Sequence, residues 1–428
     1  MAILIINFIA YLLLFIIYQC KKKQFDLGSV VLLVWLLGSA GSVWYYTFTL
    51  TQIIYRNIQI APLLYIFILN LFMFYPFCKK NYNKIKGVDI YNLGQLLKII
   101  SVFFSIIIIP VFVVLLFKLA TFQFAGAALS EMYSAEVDKA TLLLPSLIKP
   151  FYSVIRHFTQ FIIFLFFYNL SLKKKDPLIT IGLGMNLAVF FMMPIMGGSR
   201  GGVVTILLSC IFYYFMLRSV YSKKTAGFVR KGSIIVLSVL FIGIAAISIS
   251  RLDSYHERGR HNATMDQWIA QYAGEGSIRF SDIIWESDYT NLHGVQTIPV
   301  LFSLYDPEIK DFDKTKFQYD RILRSPIWVF YTYVGDFVID YGKIGGAIVL
   351  ILISFFIRYL IKQKNKSISI FRLIILNYFF ILLTVGVTAD VYRTYYAQIE
   401  IVYVITLLFI LSKINPFITN IKKSWKTS

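Results

Sequence analysis

The sequence predicts an all-α polytopic membrane protein with about eleven transmembrane helices and one large extracytoplasmic loop. The chain of 428 residues is 58% hydrophobic with a mean hydropathy of +0.70, which is too apolar for a soluble globular protein of this length. Apolar stretches long enough to cross the hydrocarbon core recur along the chain. Lysine clusters follow every second stretch, as the positive-inside rule requires of cytoplasmic turns.

The apolar stretches and lysine clusters together fix the predicted topology. The expected spans are residues 2–19, 28–50, 58–78, 96–117, 151–171, 178–196, 203–219, 232–250, 344–361, 368–388 and 397–412. The clusters are Lys21–Lys23, Lys79–Lys86, Lys173–Lys175, Lys223–Lys231, Lys362–Lys366 and Lys413–Lys426. This alternation predicts a multi-pass protein with its N-terminus outside and its C-terminus in the cytoplasm.

Three segments follow from this topology. Residues 1–250 carry transmembrane helices 1–8, and residues 344–428 carry helices 9–11 and a cytoplasmic tail. Residues 251–343 are expected to form the extracytoplasmic loop. Within it, residues 251–325 are expected to be the only sizeable soluble piece, with 12 of the 22 acidic residues. Its tail, residues 326–341, is aromatic and only mildly polar, which favours a re-entrant or interfacial helix.

Lysine and arginine separate across this topology. The cytoplasmic side takes 21 of the 28 lysines, and the outer side takes 10 of the 14 arginines. The net charge of +20 is therefore a topology signal and an attraction to anionic lipids, and we expect no nucleic-acid partner. Arginine on the outer side indicates a site for phosphate or carboxylate, which its planar fork binds in a bidentate way.

Cysteine usage and motif searches predict neither a metal nor a cofactor. The three cysteines, Cys20, Cys78 and Cys210, lie in apolar segments and form no disulfide framework or metal-ligand spacing. Zinc-ligand spacings, a Walker A loop, a nucleophile elbow and a Rossmann fingerprint are absent from the sequence.

The sharpest local motif is the glycine-rich turn of residues 197–202 (Gly-Gly-Ser-Arg-Gly-Gly) at the outer end of one span and the start of the next. Glycine lets backbone N–H groups approach a ligand closely, and the following helix directs its positive dipole end at the same place. Arg200 in this turn suits a phosphate or diphosphate. The alternative is a tight hairpin whose arginine extends to the lipid head groups.

Two further basic residues lie inside a predicted span. Arg156 and His157 are about two turns from its outer end, where a charge usually faces the bundle interior or a water-filled cavity. The alternative is again that the arginine extends to the interface.

The head of the large loop concentrates charge. Residues 251–261 hold three arginines, two histidines and two carboxylates, among them the candidates Arg251, His256, Glu257, Arg258 and Arg260. Such a segment can hold an anionic group and supply a proton acceptor. The alternative is a solvated helix with ion pairs three and four residues apart.

Later in the chain, Glu275 and Arg279 form a charge pair beside glycines, so Arg279 is a further candidate. Asp390 and Arg393 occupy a short outer turn, with Glu400 just inside the next span. Arg393 is a candidate for substrate binding, and the alternative is that these three residues pair with one another.

The chain resembles the bacterial oligosaccharide repeat-unit polymerases, the O-antigen polymerase (Wzy-type) family. The resemblance rests on the Gly-Ser-Arg-Gly turn at residues 198–201, the large late outer loop and the glycine-containing segment 340–346 (Asp-Tyr-Gly-Lys-Ile-Gly-Gly). It implies an O-antigen polymerase/ligase-like, GT-C-type architecture in the bacterial cytoplasmic (inner) membrane. It also implies polymerisation of polyprenyl-diphosphate-linked repeat units on the outer face, for lipopolysaccharide O-antigen or capsule.

This resemblance implies a metal-independent, inverting glycosyltransferase whose partners are an undecaprenyl-diphosphate-linked oligosaccharide, membrane lipids and a chain-length regulator. Arginines would stabilise the diphosphate leaving group, and His256 or Glu257 would accept the proton of the attacking hydroxyl. Arg200 is the first choice among these arginines, which also include Arg156, Arg251, Arg258, Arg260, Arg279 and Arg393.

Two alternatives stay open. A ligase of the same architecture would transfer finished glycan to another acceptor. A flippase for lipid-linked sugars would need charges distributed through the depth of the membrane and broken mid-membrane helices in matching halves. The predicted charges instead collect at the outer edge, and the sequence indicates no such matching pair of broken helices.

Overall fold

The computed structural model describes residues 1–90, 93–121, 144–197, 199–232, 245, 264–286, 291–310, 330–362 and 367–427, with side chains omitted at 120–121 and from 414 onwards. Almost all of the predicted span 232–250 lies outside these residues. So does the head of the large loop, including Arg251, His256, Glu257, Arg258 and Arg260.

The described chain is mainly helical, and its helices are long and apolar. In chain order they are α1 (Ala2–Lys22), α2 (Leu27–Tyr45), α3 (Thr49–Ile54), α4 (Ile60–Lys79), α5 (Gly94–Thr121), α6 (Lys149–His157), α7 (Thr159–Ser171), α8 (Pro177–Met196), α9 (Arg200–Leu217), α10 (Met265–Arg279), α11 (Pro299–Phe302), α12 (Thr332–Ile361), α13 (Ile370–Val385) and α14 (Tyr395–Thr427). Among them, eight are long and apolar enough to cross a membrane, namely α1, α2, α4, α5, α8, α9, α12 and α14. The fold class of an all-α polytopic membrane protein is confirmed.

The helix count of eleven stays a prediction. A helix covers each predicted span except 232–250, but two of these spans are irregular. α6 and α7 are bent by 73° at Phe158, and α13 has only 16 residues.

Helix ends follow local sequence signals. The N-cap of α2 is Asp26, whose carboxylate accepts the Ser29 N–H at 3.1 Å while the Ser29 hydroxyl accepts the Asp26 N–H at 3.1 Å. This reciprocal capping box satisfies two N–H groups that have no partner within the helix. α1 ends on Lys21 and Lys22, which complement its negative dipole end.

One feature of the fold was not predicted. Strand β1 (Gly87–Asp89) pairs in parallel with β2 (Ser367–Ser369), with Val88 opposite Ile368. Segments of three residues are too short to show an alternating pattern, so hydropathy cannot reveal them.

The chain divides into two compact units. The first contains residues 1–81, 263–363 and 375–401, and the second contains residues 82–262, 364–374 and 402–428. The core of the first unit surrounds Trp35, which is 1% exposed and contacts the rings of Tyr11, Phe74 and Tyr333. Its indole N–H donates to the Leu383 carbonyl at 2.8 Å, so this large apolar group leaves no donor unsatisfied.

In the first unit α10 packs closely on α2, which differs from the solvated loop expected at residues 251–325. A Cβ added to Gly274 would lie 2.1 Å from the Gly41 backbone, and one on Gly41 would lie 2.5 Å from the Ala273 Cβ. The Ser42 hydroxyl donates to the Gly274 carbonyl at 2.8 Å. Small residues let helix backbones approach each other this closely, and Gly274, beside the charge pair noted in the sequence, is one of them.

The second unit has a similar close contact. A Cβ on Gly182 of α8 would lie 2.3 Å from the Ser105 Cβ of α5. The buried Asn186 amide donates to the Phe104 carbonyl at 3.1 Å and to the Gly182 carbonyl at 2.9 Å. Tyr213 of α9 packs its ring on α7.

The helix α12 begins twelve residues before the predicted span, and it is broken at Gly342, where φ is 71° and ψ is 174°. These angles are outside the helical region and are accessible almost only to glycine. Together with the bend between α6 and α7, this break shows that two of the described helices are interrupted, which hydropathy alone did not indicate.

Candidate functional site

The candidate site is an aspartate–arginine cluster in the first unit. Asp336 and Asp340 lie one turn apart on the N-terminal part of α12, and both are fully buried. Asp390 is 4% exposed, and the side chain of Arg393 is 13% exposed. Carboxylates buried to this extent are costly unless they are hydrogen-bonded or paired.

The start of α12 is held against the turn that follows α13. The N–H groups of Tyr331 and Thr332 donate to the Thr388 carbonyl at 2.9 and 2.8 Å, and the Tyr333 N–H donates to the Gly386 carbonyl at 2.8 Å. These bonds satisfy N–H groups that have no partner inside the helix. They also bring the Asp336 carboxylate to the turn that carries Asp390.

Asp336 is the centre of the cluster. Its Oδ2 accepts the Asp390 N–H at 2.7 Å, and its Oδ1 accepts the Gln296 side-chain N–H at 2.6 Å. Arg393 Nη1 lies 3.8 Å from Oδ1. One guanidinium and two donors therefore offset the buried charge of this carboxylate.

Asp340 binds the loop that precedes α11. Its two oxygens accept the N–H groups of Gln296 and Thr297 at 3.2 and 2.5 Å. The N–H of His293 donates to the Asp340 carbonyl at 2.8 Å, just before the break in α12. The loop thus caps the carbonyl end of the first segment of α12, and backbone amides stabilise the anion.

Asp390 is the third buried carboxylate of the cluster. Its Oδ1 accepts the Tyr392 N–H at 2.7 Å. Burial raises the pKa of Asp390 to about 6; this N–H and the Arg393 charge oppose the rise, and the Asp340 charge adds to it. The group is therefore ionised at neutral pH and accepts a proton just below it, which suits a general base.

Gln296 links the cluster to an aromatic ring and has one unused acceptor. Its Nε2 donates to the Tyr331 hydroxyl at 2.7 Å as well as to Asp336. Its Oε1 is buried and has no hydrogen-bond partner among the described residues. The Arg393 guanidinium lies 5.6 Å from the centre of the Tyr331 ring. A hydroxyl donor would satisfy this free oxygen.

Unusual backbone conformations surround the cluster. Five described residues have positive φ, and four of them flank it: His293 (53°), Gly294 (99°), Thr332 (67°) and Gly342 (71°). A positive φ at a β-branched threonine is a rare conformation. Strained residues of this kind concentrate at functional sites.

A second buried ion pair lies in the same unit. Arg279 Nη2 is 3.5 Å from Glu275 Oε1, in agreement with the charge pair expected from the sequence. The Tyr55 hydroxyl donates to Glu275 at 2.6 Å and accepts from Arg279 at 3.1 Å. Burial, and next to it the Glu275 charge, raises the pKa of Tyr55, so its hydroxyl stays protonated as a donor. The charge of Arg279 is thus already offset.

The other candidate arginines among the described residues, Arg200 and Arg156, are in the second unit. Arg200 is the first residue of α9, next to the N-cap Ser199, whose hydroxyl accepts the Gly202 N–H at 3.3 Å. Arg156 and His157 end α6 directly before the bend, and the His157 ring lies 5.0 Å from the Tyr403 ring. The helix expected to start at the glycine-rich turn does start there, because α9 begins at Arg200, three residues before the predicted span 203–219.

The pairing expected within the turn after α13 takes another form. Arg393 forms its ion pair with Asp336 of α12, and Asp390 contributes a nearby charge. Sequence reasoning missed Asp336 as a site residue. The available signal was two acids four residues apart in an otherwise aromatic stretch, which places both on one helix face.

Among the described residues, no group of three or more His, Cys, Asp or Glu side chains is placed to hold a metal ion. Comparison of the chain with models of protein families, with curated proteins and with solved structures found no match.

Proposed function

We propose that this protein is an outer-face membrane glycosyltransferase that polymerises polyprenyl-diphosphate-linked oligosaccharide repeat units in the bacterial cytoplasmic membrane. The observation that carries the proposal is the buried cluster of Asp336, Asp340, Asp390 and Arg393, next to the break at Gly342, in an otherwise apolar chain. Ionisable groups at such positions usually serve function, because the membrane makes them costly.

In the proposed reaction, a sugar hydroxyl of one lipid-linked unit attacks the anomeric carbon of the chain on another carrier. The bond from that carbon to the diphosphate oxygen breaks, the diphosphate leaves with the electron pair, and the hydroxyl proton passes to a base. Such an attack inverts the anomeric centre. Asp390 is our choice for the base among the described residues, because its raised pKa leaves it ionised and still basic near neutral pH.

We assign diphosphate binding to residues other than Arg393 and Arg279. Each of these two arginines already pairs with a carboxylate, Asp336 and Glu275 respectively, so little charge is left for a ligand. Arg200 stays the first choice, since it is the first residue of α9 and a helix start favours an anion through its positive dipole end. Arg251, Arg258 and Arg260 would assist, and His256 and Glu257 remain alternative bases.

The proposal also includes a topology with eleven helices, a large outer loop, an outer N-terminus and a cytoplasmic C-terminus. The side-specific distribution of lysine and arginine supports this topology.

A flippase for lipid-linked sugars is a second candidate. The observation that favours it is the pair of broken helices, at Phe158 and at Gly342. Transporters use such discontinuous helices to bind substrates at membrane depth. A ligase of the polymerase architecture is not favoured by any separate observation.

The deciding experiment is the size distribution of surface and lipid-linked glycan in a strain that lacks the protein. A single repeat unit in place of polymer supports the polymerase. Polymer retained on its lipid carrier would identify a ligase. Unpolymerised units on the cytoplasmic leaflet would identify a flippase. An unchanged profile would reject the glycan function.

Complementation of that strain tests the assigned residues. Arg200→Lys keeps the charge and loses the bidentate fork, so polymer yield should fall. Asp390→Asn should abolish polymer, while Asp390→Glu should keep part of it. Unchanged polymer with Arg200→Ala or Asp390→Asn would remove that residue from the mechanism.

A further inference from the structure

The second unit contains an apolar cavity that the proposed function does not use. Its volume is about 390 Å³, and it lies between α7, α8, α9 and residues 228–232. This volume is within the range of ligand pockets, about 300–1,000 Å³. The lining is almost entirely aromatic and aliphatic, including Phe166, Phe167, Phe191, Leu207 and Ile211. An apolar cavity excludes water and accepts apolar ligands.

The cavity has a charged rim. Arg230 lines it and is exposed. Phe228, also in the lining, is 65% exposed, so this end of the cavity reaches the surface of the unit. A guanidinium at the mouth of an apolar cavity matches a molecule with a hydrocarbon tail and an anionic head.

Other positive charges lie on the segment that carries Arg230 and on the segment that it meets. The Lys175 ammonium, which follows α7, donates to the Thr225 hydroxyl, so the two basic segments 173–175 and 223–231 meet. Burial lowers the pKa of Lys175, and the nearby charge of Lys224 lowers it further. The neighbouring acid, Asp176, already faces Lys98 at 3.7 Å. The two segments that meet here therefore carry an excess of positive charge, of which Arg230 is the member that lines the cavity.

We propose that this cavity is a binding site for an anionic glycerophospholipid. An acyl chain occupies the apolar space beside α9, and the phosphate contacts Arg230, with Lys175 and Lys224 nearby. The site is independent of the proposed glycosyl transfer and would hold equally for another function of the protein. Basic pockets between membrane helices bind anionic lipid head groups in this way.

The test uses the purified full chain, delipidated in detergent and titrated with phosphatidylglycerol or phosphatidylcholine of the same acyl chains, with native mass spectrometry as the readout. Phosphatidylglycerol should be retained in preference to phosphatidylcholine. Arg230→Gln should weaken phosphatidylglycerol binding about fivefold, the effect of one basic contact. Leu207→Trp should fill the cavity and weaken binding of both lipids. Lys86→Gln removes an exposed lysine of the same unit outside the lining and should change nothing.

A second measurement does not depend on the variants folding. A phosphatidylglycerol with a photoreactive acyl chain should label peptides of α9 and residues 228–232 in the unmodified protein. The proposal would be overturned if the protein retained the two lipids equally, or if Lys86→Gln and Arg230→Gln weakened phosphatidylglycerol binding equally. Photolabelling of peptides elsewhere in the chain would overturn it too. So would the absence of any retained lipid, which would mean that the chain itself occupies the cavity.

Discussion

The ion pair between Asp336 and Arg393 can be tested by removing the arginine with Arg393→Met, which keeps much of the apolar stem. Asp336, which is fully buried, would then keep only the donors from Asp390 and Gln296. Breaking a buried pair from one side costs about 3–5 kcal/mol. The separation of 3.8 Å and the two remaining donors place the expected loss near the lower limit, about 3 kcal/mol.

Removing the other partner should cost less. Asp336→Asn keeps an oxygen that accepts the Asp390 N–H, and it leaves Arg393 next to the Asp390 charge. We expect a loss of about 1–2 kcal/mol, the cost of a weakened buried hydrogen bond. The double variant should be more stable than the sum of the two losses predicts, by about 1 kcal/mol or more.

The assay is the free energy of unfolding in mixed micelles during titration with sodium dodecyl sulfate. Arg358→Met is a matched control, since Arg358 is an exposed arginine of the same helix. Its guanidinium lies 5.6 Å from the centre of the Tyr75 ring, so its loss should cost no more than about 1 kcal/mol. A loss below about 1 kcal/mol for Arg393→Met, or simple additivity in the double variant, would refute the buried ion pair.

Three further predictions concern single positions. Because the folded-state pKa of Asp390 is raised to about 6, its ionisation should lower stability by about 3 kcal/mol as pH rises from about 4 through 6. Unfolding titrations at pH 4 and 7 should therefore show a smaller fall for Asp390→Asn than for the unmodified protein, and an equal fall would refute the raised pKa. Gly274→Ala should destabilise by about 1–3 kcal/mol or more through overpacking against Gly41, while Gly227→Ala, where the added Cβ meets nothing within 4 Å, should not; equal melting temperatures would contradict the close contact. Gly342→Ala should destabilise by about 1–3 kcal/mol because its φ of 71° is unfavourable for alanine, and an unchanged unfolding curve would argue against the break in α12.

The membrane-spanning helices could be predicted because each must satisfy its backbone hydrogen bonds internally, so hydropathy and length suffice to find it. The start of α12 could be predicted only in part. The sequence favoured a helix within residues 326–341, but it did not indicate that this helix begins at Thr332 and runs on into the next span. Asp336 and Asp340 lower the hydropathy of the segment before Gly342, and the helix begins at Thr332 through bonds to the Gly386 and Thr388 carbonyls, more than 50 residues away in sequence.

Only part of the candidate site could be predicted, because its residues come from segments that are distant in the sequence. The charges of Asp390 and Arg393 stood out in the short turn between two predicted spans, but the ion-pair partner of Arg393, Asp336, lies on a different helix. Gln296 gave no local signal, because an amide in a loop acquires its importance only from the carboxylates packed around it. Pairings between distant segments are not encoded in periodicity or local motif spacing.

The two short strands bear on the order in which the chain is made. β1 ends at Asp89, and its partner β2 begins at Ser367. At a synthesis rate of about 5–20 residues per second, β1 waits about 14–56 seconds for its partner to leave the ribosome. Its hydrogen-bonding edge is open to other chains during that time. The closing of this pair therefore marks a late step of biogenesis, and a nascent chain stopped before residue 367 should be more prone to association and degradation than the complete protein.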